Sequence, residues 1–466
     1  MERKVDVAII GAGSAGLFAL PYVRRARKEF VVIDPGPLGT TCARVGCMPS
    51  KAAIQVANDF HRRTSFVDAG IRGGESLSID SNQAFGHVRR IRDFLTNRVL
   101  SKSRLREAPQ YIEGRARLLE PTLIDAGAER VRADRIIVAV GSRPVVPAAW
   151  KPFQDRILTT ETLFEQTELP RSLAVLGLGA IGLELGQALA RMGIEVAGFD
   201  LLETVGGVRD PAVNRAAVQL VGRDFPLHLG AAAELAGEGE RIRVTAGTQS
   251  AVVDRLLVAV GRTSNTDRLG FADIGAPVDE RGLPRFDPNT MQVGDLPIFL
   301  AGDASGHRPF LHEAADEGRI AGYNAVSEHV TSFQRKTPLA VTFTDPNIVS
   351  TGMQWSEINA SDHYEVGETA LSGSGRAIVM GNSEGIIRVY AEKPTGRLVG
   401  AALIAPHGEH LGHLLAWSIQ QGMTAYDMLK MPYYHPVMEE SLQNAIYDLI
   451  AKLGRPKTAM LELDTL

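Results

Sequence analysis

The sequence predicts an α/β fold, because one strand–glycine loop–helix–strand unit occurs twice and a region of alternating short strands and helices follows. In each unit, an apolar run precedes three glycines spaced G-x-G-x-x-G, and a second apolar run ends in aspartate. The glycines are Gly11, Gly13 and Gly16 in the first unit and Gly177, Gly179 and Gly182 in the second. Such units are typical of Rossmann-like dinucleotide-binding domains, and the region from about residue 339 onward is expected to be α+β.

The first unit carries the complete dinucleotide pattern. The run Val5–Ile10 leads into the glycine loop, and Val31–Ile33 leads into Asp34. Glycines let the backbone approach a pyrophosphate at a helix N-terminus, and an acid about 20 residues later binds a ribose hydroxyl. The glycines alone would also suit a strand–helix turn without a ligand. The flanking strands and Asp34 favour a dinucleotide site.

The second unit predicts a second dinucleotide, so a flavin and a nicotinamide are a candidate pair. Glu195–Phe199 leads into Asp200, and an acid here accepts a hydrogen bond from the ribose of NAD and repels the 2′-phosphate of NADP. Leu201 and Leu202 follow, and the next basic residue is Arg209. The sequence therefore favours NAD, with residual NADP use left open.

The chain contains two cysteines, Cys42 and Cys47, both in the segment Gly39–Lys51. A disulfide across so short a loop removes little chain entropy, so a structural role explains it poorly. A structural zinc site usually needs four ligands and no second cysteine pair exists, so we expect no metal. A dithiol that opens and closes fits better than two small buried residues in a turn.

A helix is expected to begin at Cys47, because Pro49 suits a first helical turn and an apolar-periodic run follows. A helix N-terminus favours a thiolate by roughly 0.3–1 kcal/mol. Lys51, one turn further on, adds a positive charge. The sequence thus predicts a reactive thiol at Cys47.

Composition excludes several other classes of protein. Apolar residues make up 44% of the chain and charged residues 22%, as in ordinary globular proteins. The net charge of −4 gives no reason to expect nucleic acid or an anionic membrane, and no apolar run is long enough to span a membrane. Asp6 interrupts the only apolar run near the N-terminus, so we expect a buried strand there, not a secretion signal, and a cytoplasmic protein.

The segment Gly39–Lys51, Gly-Thr-Thr-Cys-Ala-Arg-Val-Gly-Cys-Met-Pro-Ser-Lys, resembles the redox-active disulfide motif of the FAD-dependent pyridine nucleotide–disulfide oxidoreductases. Thr40 and Arg44 depart from the motif, which has Gly and Asn at these positions. The resemblance covers essentially the whole chain and implies FAD and NAD domains of Rossmann-like fold plus a C-terminal α+β dimerisation domain. The implied boundaries are 1–148 for the FAD-binding domain, 149–268 for the NAD-binding domain, 269–338 for the return to the FAD domain and 339–466 for the interface domain.

The same resemblance implies the roles of further residues. Cys42 exchanges with the disulfide substrate and Cys47 lies nearer the flavin. Lys51 pairs with Glu184 beside the flavin, and Asp303 binds the ribityl chain, with a helix from about residue 310 to 318 facing the flavin. Besides the two glycine patterns, Asp34 and Asp200, the implied cofactor-binding residues are Thr41, Lys51, Gly141, Ser142, Gly261, Gly302 and Asp303.

Near the C-terminus, Pro432–Glu440 resembles the family motif His-Pro-Thr-x-x-Glu, whose histidine serves the dithiol of the partner subunit. His435 and Glu440 match this spacing, with Glu439 as the competing acid. A carboxylate on an imidazole fixes its tautomer and raises its basicity, as a thiol proton acceptor requires. A lone histidine in a loop is usually solvated and inert, but this context favours a homodimer with an active site shared across the interface.

The resemblance, together with Asp200, therefore implies an FAD-dependent disulfide oxidoreductase, most like dihydrolipoyl dehydrogenase, that uses NAD and a small-molecule or lipoyl-domain disulfide. Arg44, Tyr433 and Val437 differ from the family pattern and leave open an NAD(P)H-dependent reductase of another small disulfide. A binding subunit of a larger complex is the alternative from a different class.

Two subfamilies are disfavoured. Leu17–Tyr22 lacks the basic residues that glutathione reductases present to their substrate, and Ala180 stands where they have a tyrosine. Mercuric reductase is disfavoured because the last six residues contain no cysteine pair.

Overall fold

The computed structural model describes residues 2–105, 107–454 and 463. The α-helices of these residues are α1 (Ser14–Arg25), α2 (Thr41–Val45), α3 (Cys47–His61), α4 (Ser81–Ser103), α5 (Thr160–Leu163), α6 (Ala180–Arg191), α7 (Pro211–Val221), α8 (Leu311–Val326), α9 (Trp355–Ile358), α10 (Gly375–Val379), α11 (Gly408–Gln420), α12 (Ala425–Leu429) and α13 (Glu439–Lys452). The strands are β1 (Glu2–Ile10), β2 (Phe30–Asp34), β3 (Tyr111–Glu113), β4 (Arg117–Glu120), β5 (Leu123–Asp125), β6 (Arg130–Val138), β7 (Ser142–Pro144), β8 (Ile157–Leu158), β9 (Ser172–Leu176), β10 (Glu195–Asp200), β11 (Leu227–Leu229), β12 (Glu234–Glu238), β13 (Arg241–Ala246), β14 (Gln249–Val253), β15 (Arg255–Val258), β16 (Arg262–Ser264), β17 (Ile298–Leu300), β18 (Leu339–Thr342), β19 (Asn347–Gly352), β20 (Tyr364–Ala370), β21 (Ile386–Glu392) and β22 (Leu398–Ala405).

The first glycine unit belongs to a seven-stranded sheet of order β3-β2-β1-β6-β5-β4, with β17 paired to β6. Strands β1, β2, β6 and β17 run parallel, and Ile9, Ile33 and Ile137 are fully buried, as in parallel sheets covered on both faces. Because β17 follows the second unit in sequence, the chain returns to its first sheet. The carboxyl ends of these strands place the first glycine loop, Asp34 and Gly302 at one edge.

The second unit repeats this arrangement in a five-stranded parallel sheet of order β11-β10-β9-β15-β8. Its glycine loop follows β9, and Asp200 ends β10. A three-stranded antiparallel sheet, β12-β13-β14, packs against it and buries Ile242 and Val244 with Leu176 and Val258. The predicted second Rossmann-like unit is confirmed.

Both loops require glycine where they leave the first strand. Gly11 has a φ of +107° and Gly177 a φ of +93°, which side chains rarely adopt. A Cβ atom on Gly11 would lie 2.2 Å from the carbonyl oxygen of Ala139, and one on Gly177 would lie 2.6 Å from that of Ala259. Each loop therefore passes directly over the chain that leaves the neighbouring strand, and the two units share this construction.

The C-terminal region is an antiparallel sheet of order β18-β19-β22-β21-β20. Helix α11 packs on β19 and β22, and α13 packs on β20 and β21. Leu403, Leu415 and Ile446 are buried in their common core, which confirms the predicted α+β region. The last six residues, on which the argument against mercuric reductase rests, lie outside the described residues except for Leu463.

Helix contacts between the units position the site. Helix α3, which begins with Cys47, packs on α6 from the second glycine unit. Helix α8 packs on α1 so closely that a Cβ atom on Gly318 would lie 2.2 Å from the carbonyl oxygen of Ala15. Among the helices of residues 2–105 and 107–454, none is long and apolar enough to cross a membrane.

Candidate active site

Two consecutive helices, the short α2 and the longer α3, bring the cysteines together. Cys42 lies in α2, and Cys47 is the first residue of α3, as the sequence predicts. Both are half-buried free thiols. Thr40 caps α2 by accepting a hydrogen bond from the Ala43 amide at 3.2 Å. It does so at a φ of +64°, a conformation that favours the glycine of the family motif.

The two thiols differ strongly in acidity. A hydrogen bond from Cys42 lowers the pKa of Cys47 to about 7, and the positive charge of Lys51 acts in the same direction against the effect of burial. The same hydrogen bond, together with burial, raises the pKa of Cys42. Near neutral pH, Cys47 is therefore the thiol of the pair that ionises, and Cys42 keeps its proton.

Lys51 is fixed beside the thiols by a buried acid. Its Nζ lies 2.8 Å from Oε2 of Glu184 on α6, whose side chain is 5% exposed. The other carboxylate oxygen of Glu184 accepts a hydrogen bond from the Phe343 amide at 2.8 Å, and the Phe343 ring centroid lies 4.6 Å from the same Nζ. The predicted Lys51–Glu184 pair is present. Phe343 was missed, because no local signal relates it to residues so far away in sequence.

Two adjoining cavities collect most of the predicted site residues. The first, of about 260 Å³, is lined by predicted site residues from several segments of the chain. These are Gly13, Thr41, Cys42, Cys47, Lys51, Gly141, Glu184, Gly302 and Asp303. The second, of about 460 Å³, contains Gly11, Gly13, Asp34, Thr41 and Gly141. Since Gly13, Thr41 and Gly141 border both, the two cavities form one elongated space that reaches from Asp34 to the thiols.

This space fits an elongated dinucleotide. Helix α1 has no side-chain cap at Gly13, so its first amide groups can bind a phosphate. A Cβ atom on Gly141 would meet no atom within 4 Å, and one on Gly13 would meet a single backbone oxygen at 3.9 Å, so both residues border open space. The carboxylate of Asp34 is held in place by the amides of Ala12 and Gly36, each at 2.7 Å.

The second glycine unit has the same local geometry but lies beside these cavities. Asp200 accepts hydrogen bonds from the amides of Leu178 at 2.5 Å and Leu202 at 2.8 Å, the counterpart of the Asp34 contacts. Gly179 borders open space, and Gly261 follows β15 with a φ of +122°. The second glycine pattern and Asp200 line neither cavity, and α6 connects them to the first cavity through Ala180 and Ile181.

The segment after β17 is held by the predicted residue Ser142 and by two residues, Arg262 and Glu317, that were not predicted. Ser142 donates a hydrogen bond to Asp303 at 2.7 Å, and Arg262 contacts Ser142 at both Oγ (2.8 Å) and the carbonyl oxygen (2.7 Å). Gly302 donates its amide hydrogen bond to Glu317 at 2.8 Å, and burial raises the pKa of that acid. The only available signal for Arg262 was its position after Gly261, and Glu317 gave none.

His435 lies apart from both cavities. Its Nδ1 lies 2.8 Å from Glu440, whose other oxygen accepts a hydrogen bond from the Val437 amide at 3.0 Å. The contact with His435 and, to a smaller extent, the hydrogen bond from Val437 lower the pKa of Glu440. The described contacts place Glu440, not Glu439, on the imidazole. The His435 side chain is 81% exposed and lines neither cavity of its own chain.

Comparison with known proteins gives consistent matches along the chain. A model of the pyridine nucleotide-disulphide oxidoreductase family matches residues 5–318, and a model of its dimerisation domain matches residues 338–446. Similar relatives include the dihydrolipoyl dehydrogenase of Haloferax volcanii, 28% identical over 97% of this chain and 98% of the relative. That of Geobacillus stearothermophilus is 27% identical over 95% of both chains.

Solved structures share the fold. The HOCl-induced flavoprotein disulfide reductase RclA from Escherichia coli, solved as a Cu(II) complex, superimposes with a TM-score of 0.82 at 22% identity over 97% of this chain and 99% of that chain. LpdA from Mycobacterium tuberculosis superimposes with a TM-score of 0.82 at 24% identity over 96% of this chain and 99% of that chain. With family models that match both the paired glycine units and the C-terminal region, the chain belongs to the pyridine nucleotide-disulphide oxidoreductase family.

Proposed function

We propose that the protein is an FAD-dependent, NAD-linked dithiol–disulfide oxidoreductase that acts as a dihydrolipoyl dehydrogenase. One observation carries this proposal: Cys42 and Cys47 are in contact, differ in acidity, and line the end of a cavity that fits a dinucleotide. FAD, when bound, supplies a two-electron carrier between this thiol pair and NAD. The relatives in Haloferax and Geobacillus carry the name of this activity.

The thiol chemistry follows from the position and acidity of the two cysteines. In the oxidised protein, a thiolate of dihydrolipoamide attacks the sulfur of Cys42, which breaks the Cys42–Cys47 bond and releases Cys47 as the thiolate its environment favours. The second substrate thiolate then attacks the substrate sulfur bonded to Cys42 and releases Cys42. The substrate leaves as a disulfide, with its two electrons on the cysteine pair and its two protons on bases of the protein.

His435 of the partner subunit is the proton acceptor in this proposal. Its contact with Glu440 keeps the imidazole in one orientation, with Nδ1 on the carboxylate and Nε2 left for the substrate thiol. The dimerisation-domain match includes this segment, and the side chain is exposed outside the cavities of its own chain. Both facts support a homodimer in which each subunit completes the active site of the other.

Nicotinamide binding is proposed for the second glycine unit. Asp200 suits the ribose of NAD, and the uncapped start of α6 at Gly179 suits its pyrophosphate. Ala180, the next residue, already lines the cavity beside the thiols. A small residue here leaves the path from the second unit to the flavin position open.

We assign the domains as 1–148 for FAD, 149–268 for NAD, 269–338 for the return to the FAD domain and 339–466 for the interface. The return of β17 to the first sheet supports the third of these assignments. A cytoplasmic location is part of the proposal, because the dithiol must cycle between reduced and oxidised forms.

Steady-state assays test the proposal. The purified protein should contain flavin and should form NADH from NAD and dihydrolipoamide. Cys47→Ser should abolish this turnover and keep the flavin. Met48→Leu, a change at an exposed neighbour in α3 that lines neither cavity, should leave both the turnover and the flavin content unchanged. Turnover that persists in Cys47→Ser would contradict the thiol mechanism. If NADH reduces another small disulfide much faster than lipoamide, the substrate assignment is wrong and the mechanism stands.

A further inference from the structure

The larger cavity carries an excess of positive charge. Arg44, Arg115 and Arg268 line it, against two acids, Asp34 and Glu161. The carboxylate of Asp34 is already engaged by two backbone amides. A cavity with this balance, next to the uncapped N-terminus of α1, is suited to a ligand with more than one negative charge.

None of these three guanidinium groups has a carboxylate partner within 4.0 Å among the described residues. Arg44 is half-buried, and its Nη1 donates a long hydrogen bond of 3.3 Å to the carbonyl oxygen of Pro37, itself a lining residue. A partly buried charge without a counter-ion loses hydration without compensation. Arg44 is therefore placed to gain most from an anion in the cavity.

The backbone around Arg44 accommodates its side chain in this position. Gly39 has a φ of +121°, and a Cβ atom there would lie 3.2 Å from Cδ of Arg44 and 2.6 Å from Cγ2 of Thr96. The glycine at position 39 leaves room for the arginine side chain along the loop that follows β2. The guanidinium thus lies on the nucleotide side of α2, although its neighbour Cys42 lines the cavity of the thiols.

We propose that Arg44 binds the pyrophosphate of FAD, with the more exposed Arg115 and Arg268 adding a weaker attraction. This inference rests on the proposed function, since it assumes that FAD is the occupant. It assigns Arg44, which departs from the family motif, to cofactor retention and not to the choice of disulfide. Because phosphate–guanidinium attraction is screened by ions, flavin retention should fall with rising salt.

The test compares flavin release from three holoenzymes: wild type, Arg44→Asn and the control Arg63→Asn. Arg63 is also half-buried and donates to one backbone oxygen, that of Phe60 at 3.0 Å, but lines neither cavity. Flavin fluorescence after dilution gives the dissociation constant at low and high NaCl. Loss of one charge-assisted hydrogen bond should weaken FAD binding roughly tenfold and flatten its salt dependence. Arg63→Asn should match the wild type, and Arg44→Lys should recover part of the affinity.

The outcomes separate this inference from the proposed function. At saturating FAD, Arg44→Asn should keep the wild-type KM for dihydrolipoamide. Unchanged FAD affinity and salt dependence in Arg44→Asn, with unchanged circular dichroism, would overturn the inference. A changed KM for dihydrolipoamide together with unchanged FAD affinity would place Arg44 on the substrate path instead. A wild-type protein without flavin would refute the proposed function itself.

Discussion

Two charged side chains near Cys47 are expected to shift the pKa of its thiol in opposite directions. Lys51 stabilises the Cys47 thiolate, whereas the negative charge of Glu184 disfavours it. Replacing Lys51 by Met removes the nearby positive charge, which should raise the pKa of Cys47 from about 7 by roughly one unit or more. Glu184→Gln removes the negative charge and should lower that pKa.

The expected size of the effect follows from these values. A pKa of about 7 leaves half of Cys47 as thiolate at pH 7. A rise of about one unit, equivalent to about 1.4 kcal/mol, leaves roughly a tenth, so thiolate reactions at pH 7 should slow about fivefold. Glu184 acts on Cys47 in the direction opposite to Lys51, and its effect is already part of the wild-type value. The double variant Lys51→Met, Glu184→Gln should therefore lie between the two single variants.

Alkylation measures this directly. The reduced protein is treated with iodoacetamide over a range of pH, and mass spectrometry follows labelling of the peptide that contains Cys47. The midpoint should move up in Lys51→Met and down in Glu184→Gln. Gln55→Met, a change at an exposed residue one turn further along α3, is the matched control and should leave the pH midpoint of Cys47 labelling unchanged. Equal midpoints in all variants, or shifts in the same direction, would refute the electrostatic reasoning.

The remaining predictions concern the partner histidine, the nucleotide and the helix packing. His435→Gln should slow dihydrolipoamide turnover roughly 100-fold with flavin retained. Hybrid dimers of Cys47→Ser and His435→Gln subunits should recover about half of the wild-type activity, because one of the two sites is intact; inactive hybrids would contradict a shared site. Asp200→Gly should raise kcat/KM for NADP relative to NAD, and an unchanged ratio would refute its proposed ribose contact. Gly318→Ala should lower the melting temperature by a few degrees, since its Cβ atom would collide with α1. Gly373→Ala, whose Cβ atom would meet no atom within 4 Å, is the control and should leave the melting temperature unchanged.

The parts of the fold predicted well from sequence are those specified by nearby residues. Each glycine loop, its strand and its terminal aspartate lie within one short unit, so Asp34 and Asp200 could be placed at their strand ends by local pattern alone. The start of α3 at Cys47 could also be predicted from nearby residues, namely Pro49 and the apolar periodicity that follows it. The α+β character of the C-terminal region followed from its alternating pattern.

The parts that sequence reasoning missed depend on contacts between distant segments. Phe343 reaches the Lys51–Glu184 pair only because β18 lies beside α6. Arg262 reaches Ser142 because β16 pairs with β7. The orientation of Arg44 depends on packing against Gly39, and no local pattern indicated whether it faces the nucleotide or the disulfide. Residues of this kind become visible only when the fold brings their partners together.

An anaerobic titration with NADH, followed by addition of lipoamide, tests the central claim most directly. If the protein passes electrons between NADH, flavin and the cysteine pair, a flavin spectrum should gain a long-wavelength band from the Cys47 thiolate beside oxidised flavin. Lipoamide should then remove that band. A band that persists after lipoamide would retain the dithiol mechanism and exclude lipoamide as the substrate. A purified protein with no flavin absorbance, or one whose flavin is reduced without the band, would contradict the account.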